Sequence, residues 1–403
     1  MVENNKKIPK RRFKQFKNAD AWEQRKLGEV AKITMGQSPD GVTYSDKPSD
    51  YILIQGNADL KDGWVFPRIW TTQKTQTCDA GDLIMSVRAP AGAMGKTSYN
   101  AVIGRGIAAI KGNEFLYQTL VKMDANRYWK KLSTGSTFES LNSTNLINAE
   151  IMITNEDEQV KIGKCFLNLD HRITFHQRKL NKLKTLKKAY LSEMFPAEGE
   201  RVPKRRFSGF FDDWEQQKLG EIGTTYSGLS GKTKEDFGHG KACFIPYMNI
   251  FSNPIIDLND IEYVEIDEKQ NEVKAGDVFF TTSSEIPEEV GMTSVIIENK
   301  PNTYLNSFCF GYRPIKSIDN YYLTYMLRSK SVRKSIAFLA QGISRYNISK
   351  NKVMGIEVPL TTINEQQRIG AFFRDLDHLI ALHQRKLEKL KNLKRAYLNE
   401  LFV

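Results

Sequence analysis

Apolar residues spaced alternately three and four apart run through two long, highly charged stretches of the chain. The first stripe is Phe166, Leu169, Ile173, His176, Leu180, Leu183, Lys187, Tyr190 and Met194; the second is Phe373, Leu376, Ile380, His383, Leu387, Leu390, Lys394, Tyr397 and Leu401. A seam of this period, kept for about four heptads, predicts a long helix whose stripe must be covered by another helix. Both stripes are interrupted at matching places by a histidine and a lysine, so each helix is a version of the other. Antiparallel packing of the pair is expected, because it relates the two by a pseudo-twofold axis. A polar residue in a seam can fix register, and His176 and His383 are given that role. Protonation at mild acid is then expected to loosen the pair.

Outside the two stripes the pattern is of short apolar runs broken by Gly, Asn, Asp and Pro. Tyr51–Ile54, Asp82–Val87, Ala101–Ile103, Asp277–Thr281 and Thr293–Ile297 are expected as strands. Short apolar runs then lead through Thr, Asn and acidic residues, at Ile151–Gln159 and Val358–Gln366, into each helix. The halves echo each other. Trp22-Glu-Gln-Arg-Lys-Leu-Gly-Glu29 returns as Trp214-Glu-Gln-Gln-Lys-Leu-Gly-Glu221, and Ala80-Gly-Asp82 returns as Ala275-Gly-Asp277. Glu158–Phe195 returns, closely preserved, as Glu365–Phe402. Such a period sets the architecture: a globular domain followed by a long helix, twice. The expected divisions are a first domain at 1–155 with a basic tail at 1–20, a helix at 156–196, a second domain at 197–360 and a second helix at 361–403. The fold class is α+β.

Composition narrows the function. The chain has 403 residues, 40% hydrophobic and 26% charged, enough for two ordinary cores. Its formal charge is +12, with about +6 in the repeated stretch Glu158–Phe195, +3 in Glu365–Phe402 and +5 in the tail, leaving the domains near neutral. Phosphate contact and simple solvation of helix faces both account for that placement. Cys78, Cys165, Cys243 and Cys309 form no C-x-x-C pair, which argues against a zinc site or a disulfide framework and suits a reducing compartment. No segment has the run of apolar residues needed for a membrane span, and the N-terminus lacks a signal-like apolar region; a cytoplasmic location is expected. Four of the five histidines are His171, His176, His378 and His383, but five-residue spacing does not align two ligands on one helix face. Ile103-Gly-Arg-Gly-Ile-Ala-Ala109 imitates a dinucleotide-binding turn without its β-α-β setting, so a β-turn is expected. Phe244-Ile-Pro-Tyr247 lacks residues of an adenine-methyltransferase core, and no phosphate-binding loop with Gly-Lys-Ser/Thr is present. A recognition component rather than an enzyme is expected, with no catalytic and no metal site.

Two divergent domains, each followed by a near-identical helix approached through Glu156-Asp-Glu-Gln159 or Asn364-Glu-Gln366 and carrying the core Asp-His-x-Ile-x-x-His-Gln-Arg-Lys-Leu, resemble the specificity subunit of Type I restriction-modification systems along essentially the whole chain. The resemblance implies two target recognition domains separated by two long helices forming an antiparallel coiled coil. It also implies two docked methyltransferase subunits, and restriction subunits in the full complex. On this basis the chain binds no cofactor itself, and S-adenosylmethionine, ATP and Mg belong to the partner subunits. A helix of about 38 residues spans roughly 57 Å, more than one turn of B-DNA at about 34 Å. Such a pair suits a spacer between two readers of a bipartite, asymmetric duplex target; a few residues inserted into one helix would change the spacer and leave both half-sites alone.

Direct readout favours Arg toward guanine and Asn or Gln toward adenine, usually from loops. Candidates for DNA contact in the first domain are Gln55, Asn57, Arg88, Lys96 and Arg105, with Ser136, Thr137 and Asn142 in the loop before the last strand. In the second they are Asn249, Ser283, Ser284, Arg345, Tyr346, Asn347 and Lys350. A coiled-coil scaffold or RNA-binding adaptor is the alternative, and it leaves the duplicated polarity unexplained.

Overall fold

Each heptad stretch is a single helix of 38 residues, Glu156–Glu193 and Ile363–Glu400, in the computed structural model, which describes residues 7–133 and 140–403. Acidic residues occupy the first turn of both, Glu156, Asp157 and Glu158 in one and Glu365 in the other, where they face the positive end of the helix dipole. The seam is the face withdrawn from water. Phe166, Leu169, Leu180, Phe373, Leu376, Leu387 and Leu390 are buried, and Ile173, His176, Leu183, Tyr190, Ile380, His383 and Tyr397 are half-buried, while His171 and His378, off the seam, are exposed.

The chain forms two compact units that do not follow chain order: Met1–Arg178 with Gln384–Val403, and Lys179–His383. Each therefore contains part of both long helices. In the first, the Phe166 ring lies 5.6 Å from that of Phe402 while Asp170 takes Lys394 at 2.7 Å. In the second, Tyr190 lies 5.1 Å from Phe372 and Lys187 reaches Asp377 at 2.6 Å. Numbers rise along one helix as they fall along the other, so the pairing is antiparallel in both units. The seam lysines are thus accounted for by an aspartate on the facing helix.

The first unit is built on a six-stranded and a five-stranded sheet. In the former, Leu83–Ser86 lies between Met94–Lys96 and Ile107–Ile110, antiparallel to both, and Ile107–Ile110 pairs on its far side with Ile33–Met35. In the latter, Ala101–Ile103 runs parallel to Ile52–Ile54. The second unit repeats the plan in its four-stranded and three-stranded sheets. Val278–Thr281 lies antiparallel to Thr293–Val295 and to Cys309–Tyr312, strand Cys309–Pro314 pairs with Gly223–Ser227, and Thr303–Leu305 runs parallel to Cys243–Ile245. Gly81 and Gly276 open the matching central strands with φ of 96° and 89°, a region L side chains disfavour. The next residue, Asp82 or Asp277, accepts a hydrogen bond from the backbone N–H of Asp79 at 2.8 Å or Lys274 at 2.9 Å. The repeated Ala-Gly-Asp is this turn.

The phrase beginning at Trp22 and Trp214 fastens each domain to the strand that leads into its long helix. Glu23–Lys26 pairs antiparallel with Glu150–Ile153, and Glu215–Lys218 with Glu357–Leu360. Leu27 N–H then donates to Ala149 at 2.8 Å and Leu219 N–H to Ile356 at 3.0 Å. Both tryptophans are buried in aromatic clusters: Trp22 with Phe115 and Phe402, Trp214 with Phe195 and Tyr322. Beside each lies a bidentate ion pair. Arg12 holds Glu158 through two bonds of 2.7 Å, and Arg206 holds Glu365 at 2.7 and 2.8 Å. The carboxylates keep both guanidinium pKa values above their ordinary range by hydrogen bonding. No described helix is long and apolar enough to cross a membrane.

Candidate functional site

At one end of the central strand in each unit the chain leaves the sheet and meets two loops, through the same hydrogen bonds both times. In the first unit Val87 N–H donates to the Gly106 carbonyl at 2.8 Å, and Val87 in turn accepts from Leu141 N–H at 2.9 Å. In the second, Thr282 N–H donates to Phe308 at 3.2 Å and Thr282 accepts from Ile348 N–H at 3.0 Å. The following residue pairs across to the loop that precedes the last strand, Arg88 with Ser140 and Ser283 with Asn347. A common scaffold thus presents different side chains at equivalent positions, the arrangement expected of two readers with separate targets.

In the first unit Gln55, Arg88 and Arg105 come together here. Arg105 is the exposed tip of the turn Gly104–Gly106 joining strands Ala101–Ile103 and Ile107–Ile110, its N–H held by Ser38 Oγ at 3.1 Å. The stretch that imitates a dinucleotide motif is therefore a turn between strands. A Cβ at Gly106 would collide with the Gln55 carbonyl oxygen, which brings Gln55 against the turn. Arg88 is exposed. Asn57, half-buried, begins a short turn ended by Asp59, whose carboxylate accepts from Gln55 N–H at 2.8 Å and binds Arg68 at 2.9 Å. Two arginines and a glutamine at one edge can donate to guanine and pair with adenine in the major groove.

In the second unit Ser283, Ser284, Arg345, Tyr346 and Asn347 come together. Ser283 and Ser284 form a two-stranded ladder with Asn347 and Tyr346. The Arg345 guanidinium donates to Ser283 Oγ from Nε at 3.2 Å and Nη2 at 3.0 Å. Tyr247 Oη donates to the Ser283 carbonyl at 2.7 Å, and burial raises the Tyr247 pKa above its usual range. Lys350, half-buried, opens the short helix Lys350–Met354 just beyond the ladder.

Four candidates, Ser283 of the second edge among them, are engaged by the fold. Lys96 is taken up by Glu114 at 2.8 Å and lies over the Trp64 and Tyr117 rings, with its side chain 11% exposed, so its charge is satisfied internally. Asn249 is 0% exposed; its amide donates to the Asp257 and Asp260 carbonyls and accepts from Asp257 N–H, closing a loop. Asn142 caps helix Ser143–Ile147 by accepting from Asn145 N–H at 2.9 Å. Ser283 is buried and positions Arg345. Ser136 and Thr137 lie outside the described residues. Sequence reasoning missed Ser140 and Phe308 at this edge; their signal lay in the alignment of strand ends between the units, invisible where the two domains diverge. Burial pushes the Cys78 thiol up to about 11 and the Cys309 thiol up to about 12, which disfavours the thiolate at both.

The model of the family described as Type I restriction modification DNA specificity domain matches residues 19–185 and again 211–392. The chain belongs to this family and carries its domain twice. The specificity subunit of the type I restriction enzyme MjaVIII from Methanocaldococcus jannaschii is 22% identical over 398 residues, covering 95% of this chain and 92% of that protein. The putative MjaX specificity subunit of the same organism is 27% identical over 181 residues, and this match spans only 42% of that protein's length and 42% of this chain. The crystal structure of a type I S subunit from M. genitalium shares the fold with a TM-score of 0.66 at 15% identity, covering 98% of this chain and 99% of that one. A chain from a study of type I complex assembly and conformational transition gives 0.51 at 17% identity, covering 94% and 97%.

Proposed function

We propose that this chain is the DNA specificity subunit of a Type I restriction-modification complex, reading a bipartite asymmetric target with one unit per half-site. The observation that carries the reading is the repeated scaffold edge: the same hydrogen-bonded strand end presents Arg88, Arg105 and Gln55 in one unit and Arg345, Asn347 and Phe308 in the other. A protein holding a single kind of partner twice would repeat those side chains as it repeats the helices. The chain itself contributes recognition. Two methyltransferase subunits dock on it, restriction subunits complete the complex, and S-adenosylmethionine, ATP and Mg serve those partners.

The test is to express the chain with its candidate methyltransferase subunit in a host lacking adenine methylation and to map modified adenines. The expected result is one bipartite motif that disappears when this chain is omitted. A stable complex that leaves the genome unmodified would favour the scaffold reading.

A further inference from the structure

Position 106 is closed to any side chain in the first unit, because a Cβ there would strike the Gln55 carbonyl. Its counterpart, matched through the hydrogen bonds from Val87 and Thr282, is Phe308. The residue is 61% exposed, yet its backbone is held on both sides. Phe308 N–H donates to Asn306 Oδ1 at 2.9 Å, and its carbonyl accepts from Thr282 N–H at 3.2 Å and Thr282 Oγ1 at 2.9 Å. Asn306 is itself buried and anchored, its amide donating to the Ile245 carbonyl at 2.9 Å. A phenyl ring on a fixed backbone, facing solvent at the edge of a reading surface, forgoes the burial that large apolar side chains gain in folding. It carries no hydrogen-bond donor or acceptor. The one base-edge feature it can distinguish in the major groove is the thymine C5-methyl.

We infer that Phe308 is a specificity-determining residue that contacts the C5-methyl of a thymine in the half-site read by the second unit. The inference rests on the DNA-reading role proposed above. Arg345, held on Ser283 across the adjoining ladder, supplies the polar reading beside it. The two half-sites are then read by different chemistry, hydrogen bonding at the first edge and a methyl contact added at the second.

The experiment uses the full chain in complex with its methyltransferase subunit and duplexes carrying the mapped target. Each thymine of the second half-site is replaced in turn by deoxyuridine, which removes the methyl and keeps the pairing. One replacement is expected to weaken wild-type binding by about fourfold, the factor for one buried methylene-sized group, and to leave Phe308→Ala binding unchanged. Phe308→Leu should keep part of the discrimination. Equal losses in wild type and Phe308→Ala at every thymine, or a second half-site without thymine, would overturn the inference while leaving the specificity role intact. A wild-type complex that selects no bipartite site would remove that role, and this inference with it. Because the ring is exposed and its backbone bonds survive substitution, Phe308→Ala should fold; an unchanged first half-site preference is the control.

Discussion

Arg206 meets Glu365 where the carboxylate side chain is 0% exposed and the guanidinium 12%. Two parallel bonds join the ions, with Thr361 Oγ1 as a further donor to the buried carboxylate, so removing Arg206 leaves that carboxylate without its countercharge. Arg206→Ala is expected to destabilise the second unit by about 3–5 kcal/mol, whereas replacing both residues with methionine should cost far less. Urea unfolding followed by Trp214 emission, with the Arg206 guanidinium 6.0 Å from that ring, would measure it; a loss below about 1 kcal/mol would sink the argument. The Arg12–Glu158 pair should behave alike. The sequence repeats Lys-Arg-Arg-Phe and repeats the glutamate of each helix start, yet the partners stand 146 and 159 residues apart. Repetition could mark these residues as structural; their pairing could not be read, because no local period links positions so distant.

The helical seam was legible because burial and the heptad obey one rule, and Leu169, Leu180, Leu376 and Leu387 lie where the stripe places them, on the buried side. The two lysines in it were visible only as exceptions. Each reaches an aspartate of the facing helix, Lys187 to Asp377 and Lys394 to Asp170, with lysine side chains 21% and 20% exposed. The aspartates have further partners that differ: Tyr325 Oη donates to Asp377 at 2.8 Å, and Gln118 Nε2 to Asp170 at 3.0 Å. A double-mutant cycle on Lys187→Ala and Asp377→Ala should return a coupling of about 1 kcal/mol, the value for a partly solvated pair. Exchanging the two charges should restore much of the loss, and additivity of the single changes would refute a direct pairing. Inside the domains the strands were legible but their order was not. Parallel pairing of Ala101–Ile103 with Ile52–Ile54 depends on contacts far apart in sequence, and short apolar runs fix existence better than neighbours.

For the whole molecule, chain order, a domain and then its helix, is not the grouping of the compact units, each of which takes part of both long helices. Each unit keeps its own scaffold edge, so exchanging residues 1–155 for those of a relative should change one half of the methylated motif and preserve the other; a methylome in which both halves change would contradict independent reading. The grouping itself bears on how the protein is made. Lys179–His383 is contiguous, but the first unit also takes in Gln384–Val403, and Phe402, 3% exposed, completes its aromatic cluster against Trp22, Phe115 and Phe166. About 200 residues must be synthesised between the two parts, a wait of roughly 10–40 s at ribosomal rates of about 5–20 residues per second. The cluster around Trp22 is therefore the last part of the first unit able to close, whereas the core built on Leu83, Met85, Ala108, Leu120 and Leu146 has no buried member beyond Ile151 and does not wait for it; chains arrested before Phe402 should resist protease over Lys179–His383 while remaining cleavable around Trp22. Trp22, among the earliest residues made, thus waits for Phe402, and during that interval an open aromatic cluster is exposed to whatever chaperones the cell provides.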